Sequence, residues 1–323
     1  MSALPVSVIT GFLGSGKTTL LSRLLRDPAF ERTAVIINEF GAVGLDHLLV
    51  ESSDEQILML EGGCVCCTVR GDLVRTAGDL LARRAAGSIT PFERIVIETT
   101  GLADPAPIVH ALMTDRDLAE ALRLESVIAT VDAATGAATL DAHPESVKQA
   151  ALADCIVVTK SDLADPTANG LAERLQALNP GALKLTAVHG AVDATRLFDG
   201  RARYAAALDE APAHRRGGIN TFCLRRGAAL HAVTLSLFLQ LLAEHCGARL
   251  LRLKGLVDVV ESPGRPAVIH GVQHVFHPPE WLDAWPDGDR TTRIVVISQG
   301  LDARWLEDLI EVLDEEVKAC SIS

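Results

Sequence analysis

"GFLGSGKTT", residues 11–19, follows an apolar run and precedes a segment with helical spacing. It matches the phosphate-loop pattern, in which glycines let successive backbone N–H groups turn toward a phosphate at the start of a helix. Lys17 can then reach the terminal phosphates, and the Thr18 hydroxyl can ligate Mg2+. The residues assigned to this site are Gly11, Gly14, Ser15, Gly16, Lys17, Thr18 and Thr19. Because strand, loop and helix agree, a glycine-rich turn without a ligand is the weaker interpretation.

Around this loop, short β-branched runs alternate with helical stretches from residue 5 to about residue 200. The runs are "VSVITG", "TAVIIN", "RIVIETTG", "SVIATVDA", "DCIVVTKSD" and "LKLTAV", and helices are expected from Lys17 and after Cys67. Strands that alternate with helices predict an α/β fold with a doubly wound, mostly parallel sheet, which is the architecture of P-loop NTPases.

The pattern changes after a segment rich in Ala, Pro, charge and Gly. "INTFCLRR", a helix in "LHAVTLSLFLQLLAEHCG", strands near "LLRLKGLVDVV", "AVIHGVQHVF" and "TRIVVISQG", and a helix in "DARWLEDLIEVLDEEV" follow in that order. This order predicts a smaller α+β domain with an antiparallel sheet. The expected organisation is a P-loop domain at 1–204, a linker at 205–217 and the second domain at 218–323.

A nucleotide site of this kind needs an acidic group for metal and water at the end of a neighbouring strand. "RIVIETTG" supplies Glu98 after an apolar run, followed by Gly101, whose backbone N–H can sense a terminal phosphate. Lys17 and Glu98 are therefore the predicted catalytic residues, with a simple strand cap as the alternative for Glu98.

"CIVVTKSD" resembles the Asn-Lys-x-Asp base-recognition element of GTPases, with Thr in place of Asn. Thr159, Lys160 and Asp162 are the candidate residues, and an ordinary loop is the alternative. Asp162 can accept two hydrogen bonds from guanine, whereas adenine would leave this carboxylate unpaired. GTP is thus favoured over ATP. His189 follows a later strand end and is a candidate nucleotide contact.

Three of the seven cysteines fall within four positions, in "EGGCVCCTVR". Thiolates at Cys64, Cys66 and Cys67 can converge on Zn2+, or on Cu+, Co2+ or Ni2+ with another geometry. Closed structural zinc sites more often use two separated pairs of ligands, so a three-thiol cluster favours metal exchange. Glu39 is the first candidate for a fourth ligand. Buried small apolar residues or a redox thiol cluster are the alternatives.

Five ordered motifs, "GFLGSGKTTLL", "INEFGAVGLD", "EGGCVCC", "ETTGLADP" and "TKSD", resemble those of the CobW-type GTPases, a metallochaperone family related to the urease and hydrogenase nickel-insertion GTPases. The C-terminal half is similar to the CobW C-terminal domain, so the resemblance spans nearly the whole chain. It implies GTP hydrolysis with Mg2+, metal at Cys64, Cys66 and Cys67 with Glu39 nearby, and nucleotide-sensitive segments at 39–46 and 101–104. The histidine-rich loop of many relatives is missing from the sequence, which disfavours metal storage.

The hypothesis that combines these expectations is a GTP-driven metallochaperone that binds a client metalloprotein through its C-terminal domain. Two alternatives stay open. One is a zinc-sensing regulatory protein that does not transfer metal, and the other is an ATP-dependent P-loop kinase with a structural zinc. The oligomeric state cannot be read from the residues.

Composition excludes other classes. A net charge of −12 opposes binding to a nucleic-acid backbone. No run approaches the roughly 18 apolar residues of a membrane span, and the start has no basic region before Lys17, so a cytoplasmic protein is expected.

Two groups in the second domain have competing interpretations. His270, His274 and His277 lie in "HGVQHVFH"; on one continuous strand the first two would share a face and His277 would lie on the other, which favours surface or client contacts over a metal cluster. Trp281, Trp285 and Trp305 are expected to be core anchors, with a partner surface as the minority interpretation.

Overall fold

Two sheets and their covering helices make up the fold in the computed structural model, which describes residues 3–37, 57–59, 68–165, 167, 169–198, 214–216, 218–286 and 288–321. The strands are β1 (Leu4–Gly11), β2 (Thr33–Ile37), β3 (Ile57–Met59), β4 (Arg94–Glu98), β5 (Leu122–Asp132), β6 (Cys155–Thr159), β7 (Leu183–Thr186), β8 (His214–Arg216), β9 (Ile219–Arg226), β10 (Leu250–Val257), β11 (Ala267–Val272), β12 (Val275–Phe276), β13 (Glu280–Trp281) and β14 (Thr292–Gln299). The helices are α1 (Lys17–Leu24), α2 (Thr68–Ala85), α3 (Ala106–Thr114), α4 (Arg116–Ala121), α5 (Gly136–Ala142), α6 (Pro144–Leu152), α7 (Leu171–Leu178), α8 (Ala194–Phe198), α9 (Ala232–Cys246) and α10 (Ala303–Ser321).

The chain divides into two units, one of residues 1–172 and 184–200, the other of residues 173–183 and 201–323. The first unit contains a sheet in the order β3-β2-β4-β1-β5-β6-β7. Neighbouring strands from β3 to β6 pair in parallel. Its central strands are β-branched and buried, as is usual where helices cover both faces of a parallel sheet. The predicted α/β fold is therefore confirmed, while the predicted domain boundaries stay a prediction.

Parallel pairing brings the carboxyl ends of these strands to one edge of the sheet. β1 ends at Gly11, β4 at Glu98, β5 at Asp132 and β6 at Thr159. Ligands of open α/β sheets bind outside the carboxyl ends of the strands, so this edge is where the site is to be sought.

The second unit contains an antiparallel sheet in the order β12-β11-β10-β14-β9-β8, with β13 added at β11. Its core joins apolar residues of the long strands to the inner faces of α9 and α10, including Phe238, Leu242, Leu253, Val296 and Leu306. The predicted order of strand, helix, three strands and helix is confirmed for the long elements. β8, β12 and β13 are short additions that the sequence pattern did not predict.

Two expectations for this unit are wrong. "AVIHGVQHVF" is not one strand: the chain reverses at Gln273, which adopts a positive φ of 53°, and the His277 N–H donates to the His270 carbonyl at 3.0 Å. The His270 and His277 rings therefore lie edge to face, 6.5 Å apart, instead of on opposite faces. Trp281 and Trp305 are each 43% exposed, because β13 lies at a sheet edge and Trp305 faces outward on α10. These two side chains are not core anchors.

Within the described ranges, no helix combines the length and the apolar character needed to cross a membrane.

Candidate functional site

The phosphate-binding loop closes on itself between β1 and α1. The Ser15 N–H donates to the Phe12 carbonyl at 3.1 Å, and Gly14 and Gly16 adopt positive φ values of 71° and 91° that favour glycine. The Lys17 Nζ donates back to the carbonyls of Gly11 at 2.9 Å and Phe12 at 3.2 Å. A cation and the N-terminus of α1 thus lie at the mouth of one loop, which is the chemistry that binds phosphate.

Buried hydroxyl groups hold the loop from below. The Thr159 Oγ1 donates to the Ser15 carbonyl at 2.6 Å, and the Ser15 and Thr130 hydroxyls lie 2.6 Å apart. Thr130 in turn donates to the Thr10 carbonyl at 3.3 Å. All four residues are at most 3% exposed, so β5 and β6 fix the loop backbone through buried hydrogen bonds.

An acidic group meets the end of the loop. Thr18 Oγ1, in the first turn of α1, donates to Glu98 Oε1 at 2.8 Å, and Glu98 is 5% exposed at the end of β4. A hydroxyl and a carboxylate oxygen form the donor set that Mg2+ prefers. The structure therefore places together the two residues that the sequence suggested for metal and catalysis.

The segment after β4 touches the phosphate-binding loop. A Cβ on Gly101 would lie 2.8 Å from the Leu13 N and Cα and 2.7 Å from its Cδ2. Only a residue without a side chain fits this approach, so Gly101 is held in contact with the loop.

The candidate base-recognition residues gather at the ends of β6 and β7. Asp162 Oδ2 lies 3.4 Å from His189 Nδ1, and the Asp162 side chain is 20% exposed. Lys160 and His189 adopt positive φ values of 54° and 49°, a backbone conformation that is costly outside glycine and concentrates at functional sites. The loop at Gly190 packs against Thr19 of α1, which connects this corner to the phosphate-binding helix.

Asp132 is a residue that the sequence interpretation missed. Its Oδ2 accepts from Lys160 Nζ at 2.7 Å, and its Oδ1 accepts from the N–H groups of Ala134 and Thr135 just before α5. Burial raises the pKa of Asp132, but these hydrogen bonds and the Lys160 charge outweigh burial and lower the pKa overall. The signal available in the sequence was an acidic residue at the end of an apolar strand, in "VIATVDA".

Cys64, Cys66, Cys67 and Glu39 lie outside the described residues. The strands before them are described: β2 ends two residues before Glu39, and β3 ends five residues before Cys64. β2 and β3 are parallel neighbours that pair through Ile37 and Met59. The chain therefore leaves both strands at the edge of the sheet where the carboxyl ends of the parallel strands lie. Among the residues that the structure describes, no group of three or more His, Cys, Asp or Glu side chains forms a metal cluster.

Comparison with known proteins covers both units. Residues 5–185 match the family model described as the CobW/HypB/UreG nucleotide-binding domain, and residues 219–313 match the cobalamin synthesis protein cobW C-terminal domain. The zinc chaperone YjiA of Escherichia coli is 32% identical, over 99% of this chain and 98% of the relative. The zinc chaperone CobW of Pseudomonas aeruginosa is 30% identical, over 94% of this chain and 89% of the relative.

A solved structure extends the similarity to the fold. The crystal structure of Zn(II)-bound YjiA GTPase from E. coli superposes with a TM-score of 0.75 at 27% identity, and the match covers 97% of this chain and 99% of that one.

Proposed function

The chain belongs to the CobW/HypB/UreG family and is a P-loop GTPase, and from this premise we propose that it is a GTP-driven metallochaperone that holds zinc at Cys64, Cys66 and Cys67 and delivers it to a client protein. The observation that carries the proposal is the similarity to a zinc chaperone over nearly the full length of both chains, in a sequence that contains three clustered cysteines.

GTP binds with its phosphates on the loop from Gly11 to Thr18, where the Lys17 ammonium stabilises charge on the transferred phosphoryl group. Water attacks the terminal phosphorus, and the bond from this phosphorus to the oxygen that bridges it to the β-phosphate breaks. GDP leaves with the bridging oxygen, and the released inorganic phosphate carries the oxygen of the water, whose proton passes to phosphate or solvent. The buried Glu98 carboxylate orients the attacking water at the end of β4. Thr18 and Glu98 would hold Mg2+, which supplies neutralisation of phosphate charge when bound.

Guanine recognition belongs to the ends of β6 and β7, where Asp162 lies beside His189 and the Lys160 ammonium is held by Asp132. The Asp162 carboxylate offers two acceptors to the N1 and N2 hydrogens of guanine. This chemistry disfavours the alternative of an ATP-dependent kinase, because adenine offers no such pair of donors.

Zinc is the cargo. Three thiolates suit a soft or borderline ion, and Co2+ or Ni2+ would fit the same donors. Three ligands from one short segment, with Glu39 as the fourth, make a site that can open when one ligand moves. The ends of β2 and β3 support this assignment, since the connections that carry Glu39 and the cysteines start at neighbouring points of the GTP-site edge.

Nucleotide state and zinc affinity are coupled because both ligands depend on segments that leave the same sheet edge. A coupling free energy of about 1–3 kcal/mol changes metal affinity about 5- to 150-fold, which is enough for hydrolysis to release zinc toward a client.

Client binding is assigned to the C-terminal unit. Trp305 and Val312, 43% and 57% exposed, are seven residues apart on α10 and therefore share one outward face. Trp281 is another exposed aromatic side chain of this unit. Exposed aromatic residues of this kind are enriched at protein interfaces.

The test is a Zn2+ competition titration of the reduced protein with Mg2+ and a nonhydrolysable GTP analogue, with Mg2+ and GDP, and without nucleotide. We expect zinc affinity to differ between the GTP-analogue and GDP states by about 5- to 150-fold. Cys66→Ala should weaken zinc binding and leave nucleotide binding intact, whereas Cys320→Ala, an exposed thiol on α10, is the matched control. Equal zinc affinity in all nucleotide states would contradict the proposal.

Delivery is separated from sensing by the metal content of a client. The client protein is incubated with the zinc-loaded chain, with or without GTP, and is then separated from it. GTP should raise the zinc content of the separated client. An unchanged client content, with nucleotide-dependent zinc affinity intact, would favour the zinc-sensing alternative.

A further inference from the structure

Gln149 on α6 is tied to the segment that follows β4. It is 1% exposed, and its Nε2 donates to the carbonyls of Gly101 at 3.2 Å and Ala103 at 3.0 Å. Both amide hydrogens are therefore used. Rotating the amide would place Oε1 against two carbonyl oxygens, so the hydrogen bonds fix the orientation of the side chain and the path of the backbone it holds.

The residue just before Gln149 on α6 holds the end of the same segment. Lys148 Nζ lies 3.2 Å from Asp104 Oδ2, and both side chains are about one-third exposed. Asp104 Oδ1 accepts from the Ala106 N–H at the start of α3, at 2.9 Å. One carboxylate thus joins the segment to α6 on one side and to α3 on the other.

The same helix also contacts the phosphate-binding loop. The ring of His143, the residue just before α6, stacks on Phe12 with centroids 4.3 Å apart and planes 25° apart. On the other side of the segment, Gly101 lies against Leu13. Residues 101–104 are therefore clamped between α6 and the loop that binds the phosphates.

We propose that Gln149 is a positioning residue for GTP hydrolysis, and that Lys148 supports it through Asp104. Gln149 acts through Gly101: it holds the backbone beside the phosphate-binding loop, where the terminal phosphate distinguishes GTP from GDP. This inference rests on the proposed nucleotide site, and it assigns to α6 a role in the chemical step.

Gln149→Met tests the inference, because methionine keeps the size of the side chain and removes both donors. We expect kcat for GTP hydrolysis to fall about 10- to 100-fold, the cost of a small misplacement near a reacting group, with GDP affinity and KM unchanged. Gln176→Met, on the exposed surface of α7, is the matched control and should hydrolyse GTP normally. A variant with unchanged kcat, or one that loses GDP affinity and Tm in proportion to kcat, would overturn the proposal.

A double-mutant cycle on the more exposed pair keeps the test informative if Gln149→Met folds poorly. Asp104→Asn and Lys148→Met should each lower kcat about 2- to 5-fold, and the double variant should lower it no further than either single change. Lys148→Arg keeps the ion pair that Lys148→Met removes, and it should hydrolyse GTP at the wild-type rate. Additive losses, or no recovery with arginine, would reject the positioning role.

Lys17→Ala distinguishes failure of the inference from failure of the proposed site. Hydrolysis that survives Lys17→Ala would reject the nucleotide site and the inference with it. Hydrolysis that is lost in Lys17→Ala and normal in Gln149→Met would reject the inference alone.

Discussion

The hydroxyl of Thr159 explains why threonine is suitable at this position, where the Asn-Lys-x-Asp motif of GTPases has asparagine. It donates to the Ser15 carbonyl at 2.6 Å, inside the phosphate-binding loop, and Thr159 is 3% exposed. Thr159→Val keeps the shape and removes this donor, so we expect the free energy of unfolding to fall by about 1–3 kcal/mol and GTP affinity to fall with it. Urea unfolding and nucleotide titration measure both. Thr159→Ser keeps the hydroxyl and is the control. If the valine variant had the same free energy of unfolding and GTP affinity as the serine variant, the hydroxyl would not have the assigned role.

Base specificity depends on one carboxylate. Asp162→Asn leaves one acceptor where guanine presents two donors, and we expect GTP affinity to fall by about 10- to 150-fold, the equivalent of a lost charged hydrogen bond. Xanthine carries a carbonyl in place of the 2-amino group, so XTP binding should improve in the same variant. Asp165→Asn, in the exposed turn that follows, is the matched control. If both variants bind GTP and XTP alike, Asp162 does not read the base.

Two glycines give a matched pair of substitutions to alanine. A Cβ at Gly101 would lie 2.8 Å from backbone atoms of Leu13, whereas a Cβ at Gly78 on α2 meets nothing within 4 Å. Gly101→Ala should therefore displace the loop and sharply reduce hydrolysis. Gly78→Ala should stabilise the fold by about 0.5–1 kcal/mol, because alanine is the better helix former. Steady-state GTP hydrolysis and thermal melting measure both; normal hydrolysis in Gly101→Ala would contradict the close contact.

Single functional residues can be predicted from the sequence where they belong to a local motif with a fixed spacing. Lys17, Thr18 and Glu98 follow from a local motif and from the end of an apolar strand. Thr130 and Gln149 could not be found in this way, because their hydrogen bonds span 115 and 48 residues and nothing in the neighbouring sequence marks the partner.

At the scale of the elements, the order of apolar strands and helices is sufficient to predict the fold class of both units, because each long element has its own hydrophobic periodicity. Sheet order was not predictable, because β1 lies between β4 and β5 and that choice is made by long-range pairing. The hairpin of β11 and β12 is not predicted for a local reason. Gln273 turns the chain with a positive φ, whereas glycine or asparagine is the usual residue at such a position.

The start of α9 is capped from another part of the chain. Glu261 Oε2 accepts from the Ala232 N–H at 2.8 Å, and Glu261 Oε1 lies 3.2 Å from His231 Nδ1. Burial raises the pKa of Glu261, but hydrogen bonds from the Ala232 and Glu261 N–H groups and from His231, with the His231 charge, lower it overall.

A lowered pKa in the folded state means that ionised Glu261 stabilises the fold above its ordinary value of 4.5, and that this contribution is lost as the pH falls through the folded-state pKa. Glu261→Gln keeps an acceptor for Ala232 but not the charge. We expect the wild type to exceed this variant in Tm at neutral pH, with a gap that shrinks in acid; Glu261→Ala, without the cap, should be less stable than both at neutral pH. A gap independent of pH would show that the charge is not involved.

For the whole molecule, a binding equilibrium that couples zinc and GTP must be reciprocal. If the GTP analogue changes zinc affinity by some factor relative to the nucleotide-free protein, zinc must change GTP-analogue affinity by the same factor, because both paths around the cycle end at the same complex. We expect calorimetric titrations of the analogue with Mg2+, run with and without saturating zinc, to give the factor found in the zinc competition. Cys66→Ala should reduce both factors together, while Cys320→Ala should leave both as in the wild type. Two factors that disagree would mean that zinc and nucleotide act through different populations of the protein, and the proposed release of zinc by GTP hydrolysis would then lose its thermodynamic basis.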